Sequence, residues 1–368
     1  MSKLAELSAA GTAVWLDFVD RKFLEAGGLQ TLVDEDGLTG VTSNPSIFEK
    51  AMGHGDAYDA SLAEYDRGHP DAATIDRYEH LAIQDIKAAA DTLRPVYDRL
   101  RARDGYVSLE VSPYIADDAD ATIAEAKKLW DAVGKPNVMI KIPGTLAGGP
   151  AISATIAAGI NVNVTLLFAQ DAYQRVAEAY AAGLEERVRQ GQPIDRIASV
   201  ASFFVSRIDA AIDKKIDALG TAEAIPLRGT VAIANAKMAY AWYREFIASD
   251  RWRALAAKGA QPQRLLWAST GVKDPAYPDT LYIDTLIGPD TVNTMPPKTM
   301  DAFRDHGTVA QTLTADVEEA RRILAEAERL GLDLNRVTDT LVGEGVASFV
   351  AAFDDLLGAI AKKQPATA

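Results

Sequence analysis

The chain of 368 residues is 48% hydrophobic, has no cysteine and carries a formal net charge of −14. The missing thiols exclude disulfides, Cys-type zinc sites and a thiolate nucleophile. An acidic chain without a Lys/Arg-rich run argues against nucleic-acid and membrane-surface partners. The start MSKLAELSAAG has no apolar core of signal-peptide type, and no run approaches the ~20 apolar residues of a membrane span. A cytoplasmic protein is expected.

No fixed-period repeat or low-complexity tract is present apart from a short polar tail at 362–368. In chain order, short apolar or β-branched segments predict strands at 13–18, 38–43, 105–111, 137–142, 160–166, 196–203, 263–269 and 291–295. Between them, apolar residues at 3–4 spacing predict helices, among them 81–100, 119–133, 168–188, 203–218 and 229–249. Two more, 314–331 and 339–362, follow the last strand. Within 218–262 nothing beyond helix is legible. Eight strands each followed by helix, with no GxGxxG or GxxxxGK[ST] loop, predict a closed (β/α)8 TIM barrel rather than a nucleotide-binding doubly wound sheet. A length prior of ~150 residues per domain would suggest two domains, but barrels of ~250 residues or more form one. No linker composition intervenes, so the expectation is one catalytic domain over 1–368, with the C-terminal helices packed onto the barrel.

Strands of a parallel barrel are covered on both faces and should read as nearly continuous apolar runs. Four do not. Residues alternate between faces along a strand, which sets Lys141 and Met139 against Val138, Ile140 and Ile142, and Ser108 with Glu110 against Val107, Leu109 and Val111. By the same parity, Asn161, Asn163 and Thr165 oppose Ile160, Val162 and Val164, and Asp17 with Trp15 opposes Val14 and Leu16. Since the helix-facing side must be apolar, the polar side points into the barrel. All of these polar residues are expected toward the C-terminal strand ends, where barrel enzymes place their chemistry.

A lysine attacks a ketone only when neutral, and an apolar enclosure disfavours the ammonium form. The resulting imine is an electron sink for making or breaking the adjacent C–C bond. Lys141 is therefore the candidate nucleophile, with Asp17 and Glu110 as acid/base groups. Asn44, Asn163 and Ser202 are neutral groups suited to sugar hydroxyls. Arg207, where the sixth strand turns into its helix, is the candidate phosphate fork; Ser269 and Lys273 of ASTGVK are weaker candidates. Blander roles compete: Glu110 as structural partner of Lys141, Asp17 as a helix cap, Asn163 and Thr165 as a structural network, Arg207 as a surface residue. The chain has only His54, His69, His80 and His306, with no HxH or HxxxH pair, and no GxSxG elbow. A metal site and a Ser/His/Asp triad are accordingly not expected.

The segments AVWLDFVDR (13–21), GLTGVTSNPSIFEKA (37–51), VSLEVSP (107–113), NVMIKIPGT (137–145), GINVNVTLLF (159–168), SVASFFVSRID (199–209) and ASTGVKDPAYPDTLYIDTLIGPDTVNTMP (268–296) together resemble the transaldolase family in its longer bacterial form. The resemblance implies that Lys141 is a Schiff-base lysine, that Asp17 is the acid/base at the cleaved bond and that Glu110 acts through a water held by Thr165. It implies hydroxyl binding by Asn44, Asn163 and Ser202, and phosphate binding by Arg207. The implied reaction moves a dihydroxyacetone unit between sedoheptulose 7-phosphate or fructose 6-phosphate and glyceraldehyde 3-phosphate or erythrose 4-phosphate. It belongs to the pentose phosphate pathway and needs no cofactor. Some relatives have an arginine where this chain has ASTGVK.

Two other functions compete. A class I aldolase would release free dihydroxyacetone from fructose 6-phosphate, but related small aldolases are much shorter and carry a tyrosine near the position of Phe204. A barrel that only binds sugar phosphates would have no need of an inward lysine.

Overall fold

The computed structural model describes residues 2–363. All eight expected strands form: β1 (Thr12–Asp17), β2 (Gly40–Thr42), β3 (Tyr106–Glu110), β4 (Val138–Pro143), β5 (Val162–Leu167), β6 (Ser199–Phe204), β7 (Arg264–Ala268) and β8 (Thr291–Met295). They pair in parallel in chain order and close into a barrel through β1 and β8. This is the (β/α)8 architecture expected.

Strand pleat decides the two surfaces. Val14, Leu16, Val107, Leu109, Val138, Ile140, Ile142, Val162 and Val164 are buried, as the helix-facing side requires. Toward the N-terminal mouth the interior is filled by Trp15, whose ring lies against Gly40. A Cβ there would fall 2.3 Å from indole carbons, so β2 needs glycine at this point. Trp15 Nε1 donates to Asp104 Oδ1 at 2.9 Å, and Arg264 Nη1 donates to Asp104 Oδ2 at 2.9 Å. A buried charge is tolerable only when paired and hydrogen-bonded, and here three side chains meet that condition together.

One expectation is corrected at this end. Asn161 precedes β5 and does not share the C-terminal end with the other inward polar residues. Its amide donates to the carbonyls of Pro136 (3.0 Å) and Val138 (3.1 Å) and accepts the Ala198 N–H (3.0 Å). Backbone groups at the strand entries lack ladder partners, and one asparagine satisfies three of them.

At the other end of β5 the register with β6 shifts between Val164 and Leu167, and Leu166 takes a left-handed φ of +59°. Such bulges redirect side chains near active sites.

The expected helices are present with moved boundaries. The segment 81–100 is the rear of a longer helix, Thr74–Arg99, and the last helix starts earlier, at Leu334. Region 218–262 holds helices Val231–Ile247 and Asp250–Ala256; Asn235 of the first donates to the Phe168 carbonyl at 2.8 Å, anchoring the exit of β5. Lys362 closes the last helix and Lys363 Nζ donates to Gly55 O (2.6 Å) and Asp59 Oδ1 (2.8 Å); residues 364–368 lie outside the described residues.

That last helix, Leu334–Lys362, lies against β5 and the helices Pro45–Gly53 and Ser206–Leu219, over the C-terminal mouth. Its buried face runs through Leu341, Gly345, Phe349, Phe353, Leu356 and Ile360 at three- and four-residue spacing. Phe353 meets Tyr78 and Tyr114 edge-on at 5.2 and 5.6 Å. Among the described residues, no helix is long and apolar enough to cross a membrane.

Candidate active site

Lys141 is 5% exposed and lines a cavity at the C-terminal ends of the strands. Its Nζ donates to the Ser43 carbonyl at 2.9 Å and to Glu110 Oε2 at 3.1 Å. Register explains the pairing, because Glu110 is the Cα partner of Lys141 across β3 and β4, as Asn163 is across β4 and β5. Burial pushes the Glu110 carboxyl up, while the charge of Lys141 and its hydrogen bond hold it partly down. Glu110 Oε1 and Thr165 Oγ1 are buried with no protein partner, so both keep hydrogen-bonding capacity. Glu110 also borders a small, mainly apolar neighbouring pocket with Tyr78 and Glu125.

Asp17 ends β1 and lines the same cavity. It is not a helix cap: Asp20 caps the following helix Arg21–Glu25 through the Phe23 N–H. Asp17 Oδ1 accepts from Thr42 Oγ1 at 2.6 Å, and Thr42 Oγ1 lies 2.7 Å from Thr294 Oγ1. An ionised carboxylate only accepts, so Thr42 gives its proton to Asp17 and receives one from Thr294. Desolvation raises the Asp17 pKa; the Thr42 bond and Lys141 act against it. Two carboxyls with raised pKa flank one lysine, an arrangement suited to moving protons.

The neutral candidates divide by depth. Asn44 caps the helix Pro45–Gly53, its Oδ1 accepting the Ile47 N–H at 3.0 Å, which leaves its NH₂ group for the cavity it lines. Asn163 is fully buried and outside the lining; it donates to Ser108 Oγ (3.0 Å) and accepts from Ser202 Oγ (2.7 Å). Asn163 thus sets the hydroxyl of Ser202, which does line the cavity. Phe204 lines it too, packed on Phe168 at 5.2 Å with the Arg207 guanidinium 5.5 Å from its ring centre.

Arg207 sits in the first turn of the helix Ser206–Leu219 and Lys273 on the loop after β7, and both border the cavity. Among the described residues neither makes an ion pair within 4 Å. Desolvation lowers the Arg207 pKa, with Glu344 opposing; desolvation and then the Arg207 charge lower that of Lys273. Two cations that repel each other beside one cavity give it a wall suited to an anion. Ser269, with φ +54°, places its Oγ 3.0 Å from Ser206 Oγ on the same wall. The Lys273 loop is tied down from behind, where Tyr277 donates to Asp213 Oδ2 (2.6 Å) and Tyr282 to Asp209 Oδ2 (2.9 Å). Burial pushes the Asp209 carboxyl up to about 7.

The histidines stand apart from this cavity. His54, His69 and His306 are exposed and His80 is half-buried on the helix Thr74–Arg99. Among the described residues, no group of three metal-ligating side chains occurs. Sequence reasoning missed four participants. Thr42 and Thr294 could have been found by extending strand parity to β2 and β8. The Ser43 carbonyl is a backbone group without a sequence signal. Phe349, whose ring centre lies 5.9 Å from Lys141 Nζ, comes from a helix far along the chain.

Fold and site together define a (β/α)8-barrel protein with its polar, carboxyl- and lysine-bearing cavity at the C-terminal mouth. The chain belongs to the Transaldolase/Fructose-6-phosphate aldolase family, which it matches over residues 14–360. Among its relatives are "Transaldolase" of Thermobifida fusca, 49% identical over 98% of both chains, and "Transaldolase 1" of Streptomyces avermitilis, 50% identical over 98% of this chain and 95% of the relative. "Transaldolase" of Mycobacterium tuberculosis is 48% identical over 96% of this chain and 95% of its own.

Proposed function

We propose that the chain is a cytoplasmic transaldolase of the pentose phosphate pathway, acting as one catalytic domain on sugar phosphates, with Lys141 as the Schiff-base nucleophile. The carrying observation is Lys141 itself, buried on a barrel strand with Glu110 at 3.1 Å and lining the same cavity as Asp17. Attack of the neutral amine on the ketone of fructose 6-phosphate gives a carbinolamine, and loss of water gives the imine. Glu110 serves these proton transfers, through a water that its free Oε1 and the free Thr165 Oγ1 are suited to hold. Asp17 takes the proton of the C4 hydroxyl as the C3–C4 bond breaks, and glyceraldehyde 3-phosphate leaves. The enamine left on Lys141 then attacks an acceptor aldehyde such as erythrose 4-phosphate, with Asp17 returning the proton. Asn44 and Ser202 orient the sugar hydroxyls, Asn163 sets Ser202, and Arg207 with Lys273 and Ser269 hold the phosphate. The imine supplies the electron sink from the chain itself.

Covalent carry-over demands ping-pong kinetics. Borohydride added with fructose 6-phosphate is expected to fix a dihydroxyacetone-derived adduct on Lys141, read by peptide mass spectrometry, and Lys141→Ala to abolish both adduct and transfer. An unmodified Lys141 overturns the mechanism. Phe204 offers no hydroxyl to hold a water at the enamine, which favours transfer; free dihydroxyacetone appearing as fast as transfer product would assign the aldolase reaction instead.

A further inference from the structure

The last helix reaches the reaction cavity at one side chain, Phe349. This residue is 6% exposed and lines the cavity with Lys141, Asp17 and Phe204, its ring centre 5.9 Å from Lys141 Nζ. The approach depends on the turn before it. At Gly345, four residues earlier on the same face, a Cβ would lie 2.7 Å from Leu166 Cδ2. Absence of that atom lets the helix settle onto the bulge of β5, beside Thr165. The neighbouring Glu344 is close enough to act on the charge of Arg207. Consecutive turns of one helix therefore meet the phosphate end, the bulge and the lysine.

We propose that Phe349 is a specificity-determining residue that roofs the lysine-bound intermediate and selects an acceptor aldehyde over water. This rests on the imine mechanism above. After cleavage, the enamine on Lys141 has two exits. In transfer, its carbon forms a C–C bond to the acceptor carbonyl, whose oxygen takes the proton held by Asp17. In release, the same carbon takes a proton to give the dihydroxyacetone imine. In either exit one water then adds across the C=N bond, freeing the ketose product or dihydroxyacetone and returning the Lys141 amine. Release differs from transfer in needing a proton delivered to the enamine carbon, relayed from Asp17 by a water admitted beside it, so an apolar ring next to the lysine disfavours that exit by excluding solvent. Phe349 supplies such a ring from the helix side, as Phe204 does from β6.

The test measures free dihydroxyacetone release and erythrose 4-phosphate-dependent transfer for Phe349→Leu, Phe349→Val and Phe349→Ala, with thermal melting to identify folded variants. The release-to-transfer ratio is expected to rise as the side chain shrinks, on the order of tenfold for alanine, the scale of a lost apolar contact in a specificity pocket. If alanine does not fold, the order of leucine and valine still decides. A flat ratio across the folded variants, including one in which both rates fall together, overturns the proposal and leaves Phe349 a packing residue. Borohydride trapping on the wild type separates the two levels: no Lys141 adduct sinks the mechanism, whereas an intact adduct with a flat ratio sinks only the role of Phe349.

Discussion

Replacing Thr42 with valine removes one hydroxyl from the hydrogen-bonded series Thr294, Thr42 and Asp17 while keeping the buried volume. The 2.6 Å bond from Thr42 Oγ1 stabilises the ionised form of Asp17 and partly offsets the upward push of desolvation. Valine therefore raises an already raised carboxyl pKa further. A hydrogen bond to a charged group is worth about 1.5–3 kcal/mol, which corresponds to roughly ten- to a hundredfold in an ionisation constant. Asp17 must be ionised to accept the C4 hydroxyl proton in the cleavage direction. The acid limb of kcat/KM for fructose 6-phosphate is thus expected to move to higher pH in Thr42→Val, with a high-pH plateau within a few-fold of wild type. At a pH on the limb the variant should be roughly tenfold slower. Thr42→Ser restores the hydroxyl and should restore the limb. A limb that stays put or moves to lower pH while the plateau falls would show that Thr42 packs the barrel and does not tune Asp17.

At the opposite mouth, Asp104→Ala leaves Arg264 buried without its partner and is expected to cost about 3–5 kcal/mol in urea unfolding, with kcat of the folded protein unchanged; a large loss of kcat at full stability would contradict the division between the two mouths. Asp209→Asn bears on pH: with a folded pKa of about 7 against the ordinary aspartate value of 3.8, the folded state holds the proton more tightly. Stability from this group is therefore full below the unfolded pKa and is lost as pH rises through about 7, by on the order of 4 kcal/mol. The difference in melting temperature between pH 5 and pH 8 should shrink in Asp209→Asn, and an undiminished difference counts against it. Arg207→Ala should lower kcat/KM roughly ten- to a hundredfold for fructose 6-phosphate while leaving turnover of unphosphorylated fructose nearly unchanged; equal losses on both substrates would remove Arg207 from the phosphate end.

How much of this was legible in the sequence follows from the range of each interaction. Strand parity is a property of neighbouring residues, so Lys141, Glu110, Asp17 and Thr165 could be set inside the barrel from their own strands. The same logic failed for Asn161, because parity gives the face of a strand and not the height along it. Asn161 lies inward at the wrong end, answering backbone groups that only the closed barrel brings near it. Depth also separates Asn163 from Ser202: both were legible as polar and inward, yet only the packed structure shows that the first orients the second. Phe349 was beyond local reasoning altogether. Its helix reads from sequence as one more amphipathic segment, and the residue that lets it approach, Gly345, has meaning only against Leu166, a side chain displaced by a bulge on a strand some 180 positions earlier. The chemistry-bearing groups thus lie on strands with short-range signals, whereas the groups that bias their ionisation or screen them from water arrive through long-range packing. Substitutions that alter which product forms, more than whether one forms, are for that reason expected at Phe349, and substitutions that move the pH dependence of the reaction at Thr42.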